Sequence, residues 1–334
     1  MKFLIAGFGS IGRRHFRNLV SLGEDDILFL RSHRGNLPDD EIGDFPVYTD
    51  LNSALGQNPD AVIISNPSSM HLDVAIPAAE CGCDILVEKP LADSMDKIPQ
   101  FVKAVRKSGS KVLVGFQFRY HPGLIRIQDL LTEEVIGRIL SVRAHWGEYL
   151  PNWHPWEDYR RGYSGKEDLG GGVILTLCHP LDYLRWLIGE VEALWAFSGK
   201  LGDLDLEVED TAEIGLRFSD GAYGSLHLSY NQKPTTHHME IVGTAGTIRW
   251  DNNSGIASFY QSDAGNWQDL RPPDGFERND LFLGQMHHFL AVIRGDLEPA
   301  CSLEDGIKAL ELALAAKNSA ASGLMFEMSP GIWR

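Results

Sequence analysis

The stretch Phe3-Leu4-Ile5-Ala6-Gly7-Phe8-Gly9-Ser10-Ile11-Gly12 decides the fold. Its four leading apolar residues read as a short buried strand, and the glycines that follow spell G-x-G-x-x-G. Gly7 permits a tight turn, Gly9 lets backbone approach a pyrophosphate, and Gly12 lets the next helix pack closely on the strand. Ile11, His15, Leu19 and Leu22 continue at helical spacing until Gly23 closes the helix. A helix opening on such a turn offers free N–H groups and a positive dipole end to phosphates. Gly7, Gly9, Ser10, Ile11 and Gly12 are therefore the expected dinucleotide cradle.

Further strand-like runs follow at Ile27–Leu30, Ala61–Ile64, Asp84–Val87 and Val112–Phe116, with helical patterns at about 70–81 and 94–108. Strand and helix alternating this way predict an α/β, doubly wound parallel sheet, a Rossmann domain over residues 1–118. The end of the second strand should separate NAD from NADP, because an acidic residue there would bind the adenosine ribose. Arg31 stands 19 positions after Gly12 and is followed by Ser32, His33 and Arg34, with no carboxylate in that window. Arg31, Ser32 and Arg34 suit a 2′-phosphate, so NADP is favoured over NAD as the cofactor.

Two more segments sit at carboxyl ends of strands, where open α/β sheets bind ligands. They are Asn66-Pro67-Ser68-Ser69-Met70-His71 and Glu88-Lys89-Pro90. A lysine at that place can donate to a substrate hydroxyl or carbonyl beside the nicotinamide.

Composition bounds the partners. The chain has 334 residues with 46 acidic and 30 basic side chains, a net charge of −16. At roughly 150 residues per domain this suggests two domains. Such acidity disfavours nucleic acid and anionic membrane surfaces. No apolar run approaches the ~20 residues of a spanning helix, and the first residues are too short a stretch for a signal peptide. A cytoplasmic protein is expected. The four cysteines, Cys81, Cys83, Cys178 and Cys301, are too few for a disulfide scaffold, and no metal site is expected from them or from the adjacent pairs His237-His238 and His287-His288.

Residues 119–334 read as an α+β domain. Strands are predicted at Ile139–Trp146, Val191–Ser198, Thr211–Phe218, Ala222–Tyr230, His238–Gly243 and Gly246–Asp251, with turn signals at Ser219-Asp220-Gly221 and Thr244-Ala245-Gly246. Helices are predicted at about 122–133, 177–188, 280–294 and 303–322, the last opening on the S-x-x-D of Ser302 and Asp305. His179 and Asp182 fall three apart on a predicted helix and share a face, and an imidazole there can pass a proton to or from a hydroxyl. Asn152-Trp153-His154-Pro155-Trp156-Glu157-Asp158-Tyr159-Arg160-Arg161 combines indole faces for sugar C–H groups with partners for hydroxyls and anions. Trp153, Trp156, Tyr159 and Arg160 are candidate substrate contacts.

The sequence resembles the Gfo/Idh/MocA oxidoreductase family nearly end to end. The resemblance rests on Gly7–Gly12, Asn66-Pro67 with His71, Glu88-Lys89-Pro90, Gly115-Phe116-Gln117-Phe118-Arg119-Tyr120-His121-Pro122, Ile136-Gly137-Arg138-Ile139, Gly170-Gly171-Gly172-Val173 with His179 and Asp182, and Asp305-Gly306. It implies a C-terminal domain with an open, mostly antiparallel sheet, forming one wall of the active site and a homodimer or homotetramer interface. It also implies hydride transfer between a nicotinamide and a hydroxyl of a sugar, cyclitol or nucleotide sugar. Lys89 would be catalytic with His179. Asn66, Pro67, His71, Glu88 and Lys89 would face the cofactor, while Arg119, Tyr120, Thr176, His179 and Asp182 would face the substrate.

One departure bears on mechanism. The commonest family pattern, G-G-G-x-x-x-D-x-G-x-H, places an aspartate where this chain has Thr176, a small residue at Cys178, and its histidine one position later than His179. The spacing fits a branch with G-G-G-V-x-x-D-x-S-H-x-x-D-Y, whose aspartate is also Thr176 here. Threonine takes no proton at neutral pH. Two alternatives therefore stand beside the dehydrogenase: a redox-neutral, glycosidase-like enzyme that oxidises and re-reduces one ring carbon, and a non-catalytic NAD(P)-binding sensor.

Overall fold

The structure, a computed structural model, describes residues 1–32, 40–155 and 157–328. Arg34 and Trp156, both expected at binding sites, lie outside the described residues. The N-terminal part is built from short strands β1 (Phe3–Ala6), β2 (Ile27–Leu30), β3 (Val47–Tyr48), β4 (Ala61–Ile64), β5 (Asp84–Val87) and β6 (Val112–Val114). They pair in parallel in the order β3-β2-β1-β4-β5-β6. Every residue of β1 and β4 is buried, which is why both segments are unbroken apolar runs rather than alternating ones. Helices α1 (Ser10–Ser21), α2 (Leu51–Leu55), α3 (His71–Glu80) and α4 (Ile98–Ser108) carry the chain back between strands. Strand order reverses between β1 and β4, so the glycine turn and Asn66 lie together at the switch point where such sheets bind ligands.

The rest of the chain begins with α5 (Pro122–Thr132) and the long strand β7 (Ile139–Tyr149), followed by α6 (Val173–Thr176) and α7 (His179–Ile188). Strands β8 (Val191–Gly199), β9 (Thr211–Phe218), β10 (Tyr223–Ser229), β11 (Asn231–Gly243), β12 (Gly246–Asp251), β13 (Ile256–Gln261) and β14 (Trp267–Leu270) come next. The chain closes with α8 (Arg278–Arg294), α9 (Leu303–Ser322) and β15 (Phe326–Glu327). Among the described residues this second sheet runs β14-β13-β12-β11-β7-β10-β9-β8-β15 and is antiparallel except where β10 lies parallel to β7. The expected Rossmann sheet and mostly antiparallel sheet are both present. In β9, Ala212, Ile214, Leu216 and Phe218 point into the core while Glu213 and Arg217 point out, the period of a sheet covered on one face.

Several elements depart from expectation for local reasons. β11 starts at Asn231 instead of His238: a register shift against β7 accommodates Pro234, which interrupts the apparent strand pattern. β13 and β14 carry too few inward apolar residues to be recognised, and β3 and β15 have two residues each. The predicted start of α9 is a reciprocal capping box: Ser302 Oγ accepts from Asp305 N–H at 3.2 Å, and Asp305 Oδ2 accepts from Ser302 N–H at 2.9 Å. The two C-terminal helices lean back on the first sheet. Val114 N–H donates to Cys301 O at 3.0 Å, and Arg14 on α1 donates to Asn279 Oδ1 on α8 at 3.2 Å.

Candidate active site

The glycine turn has the shape a dinucleotide requires. Gly7 adopts φ +92°, and a Cβ there would lie 2.6 Å from Asn66 N. A Cβ on Gly12 would lie 2.3 Å from Gly7 O, whereas one on Gly9 would meet nothing within 4 Å. The first and third glycines thus let chain pack on chain, and the second leaves open space over the helix end. Among the described residues α1 has neither a side-chain cap nor an acidic residue in its first turn, so Ser10, Ile11 and Gly12 present an uncompensated positive end. The donor set fits an anionic pyrophosphate.

Arg31 follows β2 and is only 6% exposed, its guanidinium 5.5 Å from the centre of the Phe8 ring, while Ser32 is exposed. Burial, then the neighbouring Arg13 guanidinium, holds Arg31 below the ordinary arginine value. Arg13 stands over the same ring at 4.5 Å and donates to Glu41 at 3.0 Å.

At the carboxyl ends of β4 and β5 the predicted residues form one wall. His71, fully enclosed, turns its ring nitrogens to Pro90 O and Asn66 O, each at 2.9 Å, and so ties the Asn66-Pro67 turn to the segment after Lys89. Glu88 accepts from His15 Nε2 of α1 at 2.8 Å. Lys89 Nζ donates to Thr176 O at 2.7 Å, joining the end of β5 to the end of α6. Position 176, where the family pattern has a carboxylate, thus engages the lysine through its backbone.

His179 starts α7 and is 2% exposed. Its ring sits among Phe116, Phe118 and Trp146, with centroids 5.1 to 5.5 Å away. The Gln117 amide nitrogen lies 3.3 Å from His179 Nε2, and His179 Nδ1 is buried without a hydrogen-bond partner among the described residues. Burial first, then the positive charge of Lys89, drives the imidazole well below its ordinary pKa. Burial also opposes the Lys89 ammonium, but neighbouring acidic groups, of which the Glu88 carboxylate is the one charged near neutral pH, leave the lysine above its ordinary value. The pair therefore rests as ammonium and neutral imidazole. The Cys178 thiol beside them is pushed up to about 12 by burial and stays protonated.

Several residues expected against the substrate make contacts within the protein. Arg119 Nε and Nη2 donate to the two carboxylate oxygens of Asp182 at 3.0 and 2.7 Å, and Nη1 donates to Ala300 O at 2.6 Å. With exposures of 8% and 1%, this pair is enclosed beside Asp305 at the start of α9. Tyr120 packs its ring 5.6 Å from His288 of α8, and its buried hydroxyl has no partner among the described residues. Arg160 is likewise engaged: it grips Asp158 of its own loop with two bonds of 2.8 Å. Tyr159 receives the Asp205 N–H on its hydroxyl at 3.3 Å. Trp153 stands edge-on to Tyr230 at 5.5 Å. Tyr230 in turn donates to Ser164 O at 3.4 Å.

Sequence reasoning quoted Gln117 and His15 without giving them roles, and passed over Glu209, which receives Ile174 N–H at 3.3 Å and so steadies the start of α6. His237 and His238 alternate across β11: His237 stacks on Trp146 at 4.3 Å inside, and His238 stands outside beside His145 at 5.2 Å.

Comparison with known proteins agrees with this architecture. Residues 1–116 match the oxidoreductase family with an NAD-binding Rossmann fold, and residues 124–249 match the GFO/IDH/MocA C-terminal domain. The chain belongs to the Gfo/Idh/MocA family. Myo-inositol 2-dehydrogenase of Thermotoga maritima is 27% identical over 341 residues, covering 96% of each chain. The 1,5-anhydro-D-fructose reductase of Ensifer adhaerens is 27% identical over 282 residues, covering 82% of this chain and 81% of its own. Among solved structures, the WlbA dehydrogenase of Bordetella pertussis, crystallised with NADH and UDP-GlcNAcA, superposes with a TM-score of 0.84 at 24% identity over 99% of both chains. Among the described residues, no helix of this Gfo/Idh/MocA chain is long and apolar enough to cross a membrane.

Proposed function

We propose that the protein is a cytoplasmic NAD(P)-dependent oxidoreductase acting on a secondary alcohol or ketone of a sugar, cyclitol or nucleotide sugar. The observation that carries this reading is the Lys89–Thr176 bond beside His179, which sets a cationic donor and a neutral imidazole at the carboxyl edge of the Rossmann sheet. Titratable neighbours whose environments push their pKa values apart mark an acid and base assignment. Residues 1–118 would hold the cofactor through the Gly7–Gly12 turn, Arg31, Asn66 and Glu88, and residues 119–334 would hold the substrate and the oligomer contacts. When bound, the nicotinamide supplies or accepts the hydride at carbon. In the reductive direction Lys89 gives its proton to the carbonyl oxygen, and in the oxidative direction its free amine takes the hydroxyl proton. His179 binds the same oxygen. Trp153 offers an apolar face to sugar C–H groups. The named activities of the Thermotoga and Ensifer relatives support a polyol or sugar substrate. Arg31 and Ser32 favour NADP over NAD.

A screen with NAD and NADP against sugars, cyclitols, sugar acids and nucleotide sugars, reading absorbance of the reduced nicotinamide, tests the proposal. Turnover with at least one class, lost in Lys89→Ala while cofactor still binds, is the expected result. Full activity of Lys89→Ala refutes the mechanism.

A further inference from the structure

The contact between Gln117 and His179 fixes a property of the histidine that its position alone does not. A side-chain amide nitrogen only donates, so the His179 Nε2 that it faces at 3.3 Å must accept. A neutral imidazole has one N–H, and with Nε2 accepting, that hydrogen belongs to Nδ1. Nδ1 is the ring atom left buried and without a partner among the described residues. Gln117 is itself 6% exposed, so its amide is shielded from water that could compete for the ring. The residues flanking Gln117, Phe116 and Phe118, pack edge-on against the same imidazole and limit its rotation. Two residues further on, Arg119 is clamped to Asp182 of α7, the helix that His179 begins. Both partners of the contact are thus carried by segments locked to each other by an ion pair.

We infer that Gln117 is a positioning residue that holds His179 in its Nδ1–H tautomer, making the imidazole a hydrogen-bond donor to the substrate oxygen rather than a proton acceptor. The inference rests on the proposed catalytic role of His179 and deepens it. With Lys89 protonated, the resting site then offers two donors to one oxygen, an arrangement suited to a carbonyl that gains negative charge as hydride arrives. The proton on the product oxygen comes from Lys89, whose amine is left neutral. His179 ends the step with the proton it started with.

Nitrogen-15 NMR of histidine-labelled protein, with the His179 signals assigned by difference against His179→Asn, reads the tautomer without any substrate. The expected spectrum of the wild-type chain shows a protonated Nδ1 and an unprotonated Nε2. In Gln117→Glu the carboxylate accepts in place of the amide, so the proton is expected to move to Nε2 and the imidazolium to gain stability. An unprotonated Nδ1 in the wild type, or an unchanged tautomer in a folded Gln117→Glu, overturns the assignment. In turnover, Gln117→Glu should lose about 10²-fold in kcat with KM little changed and gain an acid limb in its pH profile. If the tautomer switches as described while kcat holds, the tautomer assignment stands and the catalytic role of His179 falls.

Discussion

Gln117 and Arg119 stand on one turn, and His179 and Asp182 on one helix, yet these four residues enter two clusters of opposite character. In the first cluster, Arg119 has each guanidinium nitrogen engaged, and Asp182 has both oxygens engaged. Arg185 extends it through an ion pair with Asp305 and a bond of 2.7 Å to Glu190. In the second, His179 Nε2 meets the Gln117 amide and Nδ1 is buried with no hydrogen-bond partner among the described residues. A buried polar atom without a partner costs about 1–3 kcal/mol, so an unpaired ring nitrogen at a candidate site is a place where a ligand group gains by binding. The Arg119–Asp182 pair is satisfied within the protein, whereas the His179 imidazole keeps one buried ring nitrogen unpaired among the described residues. Residues adjacent in a motif therefore divide between architecture and chemistry.

The sharpest way to break this comparison is to remove one member from each side. Lys89→Ala should lower kcat by about 10²- to 10⁴-fold, the range for a positioned acid, with a melting temperature close to that of the wild type. Single-turnover kinetics and calorimetry on the same preparation check both halves. Asp182→Ala should do the reverse. It leaves the buried Arg119 without its bidentate partner, with only Asp305 at 3.4 Å and Ala300 O beside it, which costs about 3 kcal/mol of stability in denaturant titration. Turnover per folded molecule should fall much less than in Lys89→Ala. If Asp182→Ala were as stable as the wild type but inactive, Asp182 would belong with the chemistry after all.

The pH dependence separates the same two groups. Burial and Lys89 hold His179 well below its ordinary value, so the imidazole stays neutral as pH falls through the ordinary histidine range. Lys89 lies above its ordinary value, so its proton is lost only as pH rises beyond the usual lysine range. The kcat/KM profile for carbonyl reduction should consequently be flat from weakly acidic to weakly alkaline pH, with the loss confined to strongly alkaline conditions. An acid limb near the ordinary histidine value in the wild type would show that His179 is solvated and protonates during turnover.

How much of this was legible in the sequence follows from how local each cause is. The Gly7–Gly12 turn, the buried runs of β1 and β4 and the Ser302–Asp305 capping box are set by residues within one turn of each other, and the structure has them where the sequence places them. The Arg119–Asp182 clamp joins residues 63 positions apart in two separate segments, so neither segment alone could show that they neutralise each other. The same holds for Lys89 and Thr176, 87 positions apart. The missing aspartate at position 176 was visible, but the backbone carbonyl that meets the lysine there was not, because every residue has one. Gln117 was visible as a letter inside a recognised segment. Its meaning needed the imidazole beside it.

A smaller effect is expected at the adenosine end. Arg31→Ala removes one charge-assisted partner of a 2′-phosphate and should weaken NADPH binding by about ten- to a hundredfold while leaving NADH nearly unchanged, read by nicotinamide fluorescence titration. Equal loss for both cofactors would mean that Arg31 serves the Phe8 ring it packs against, and not a phosphate.

The smallest effect belongs to Arg160, which sequence reasoning placed against the substrate. Its guanidinium is half exposed and holds Asp158 of its own loop through two bonds of 2.8 Å. An ion pair in contact with water contributes little to stability, because solvent screens it and two long side chains lose freedom to form it. Arg160→Ala is therefore expected to leave the melting temperature and the KM for a neutral sugar unchanged within error. The informative arm uses a sugar acid. A carboxylate on the substrate competes with Asp158 for the same guanidinium, and a bidentate grip that already exists on one carboxylate transfers to another with little rearrangement. If KM for the acid rises strongly in Arg160→Ala while the neutral sugar is untouched, Arg160 exchanges its internal partner for a ligand. A residue can then look saturated in the free protein and still serve the site, which would limit to buried groups the rule drawn from Arg119 and His179.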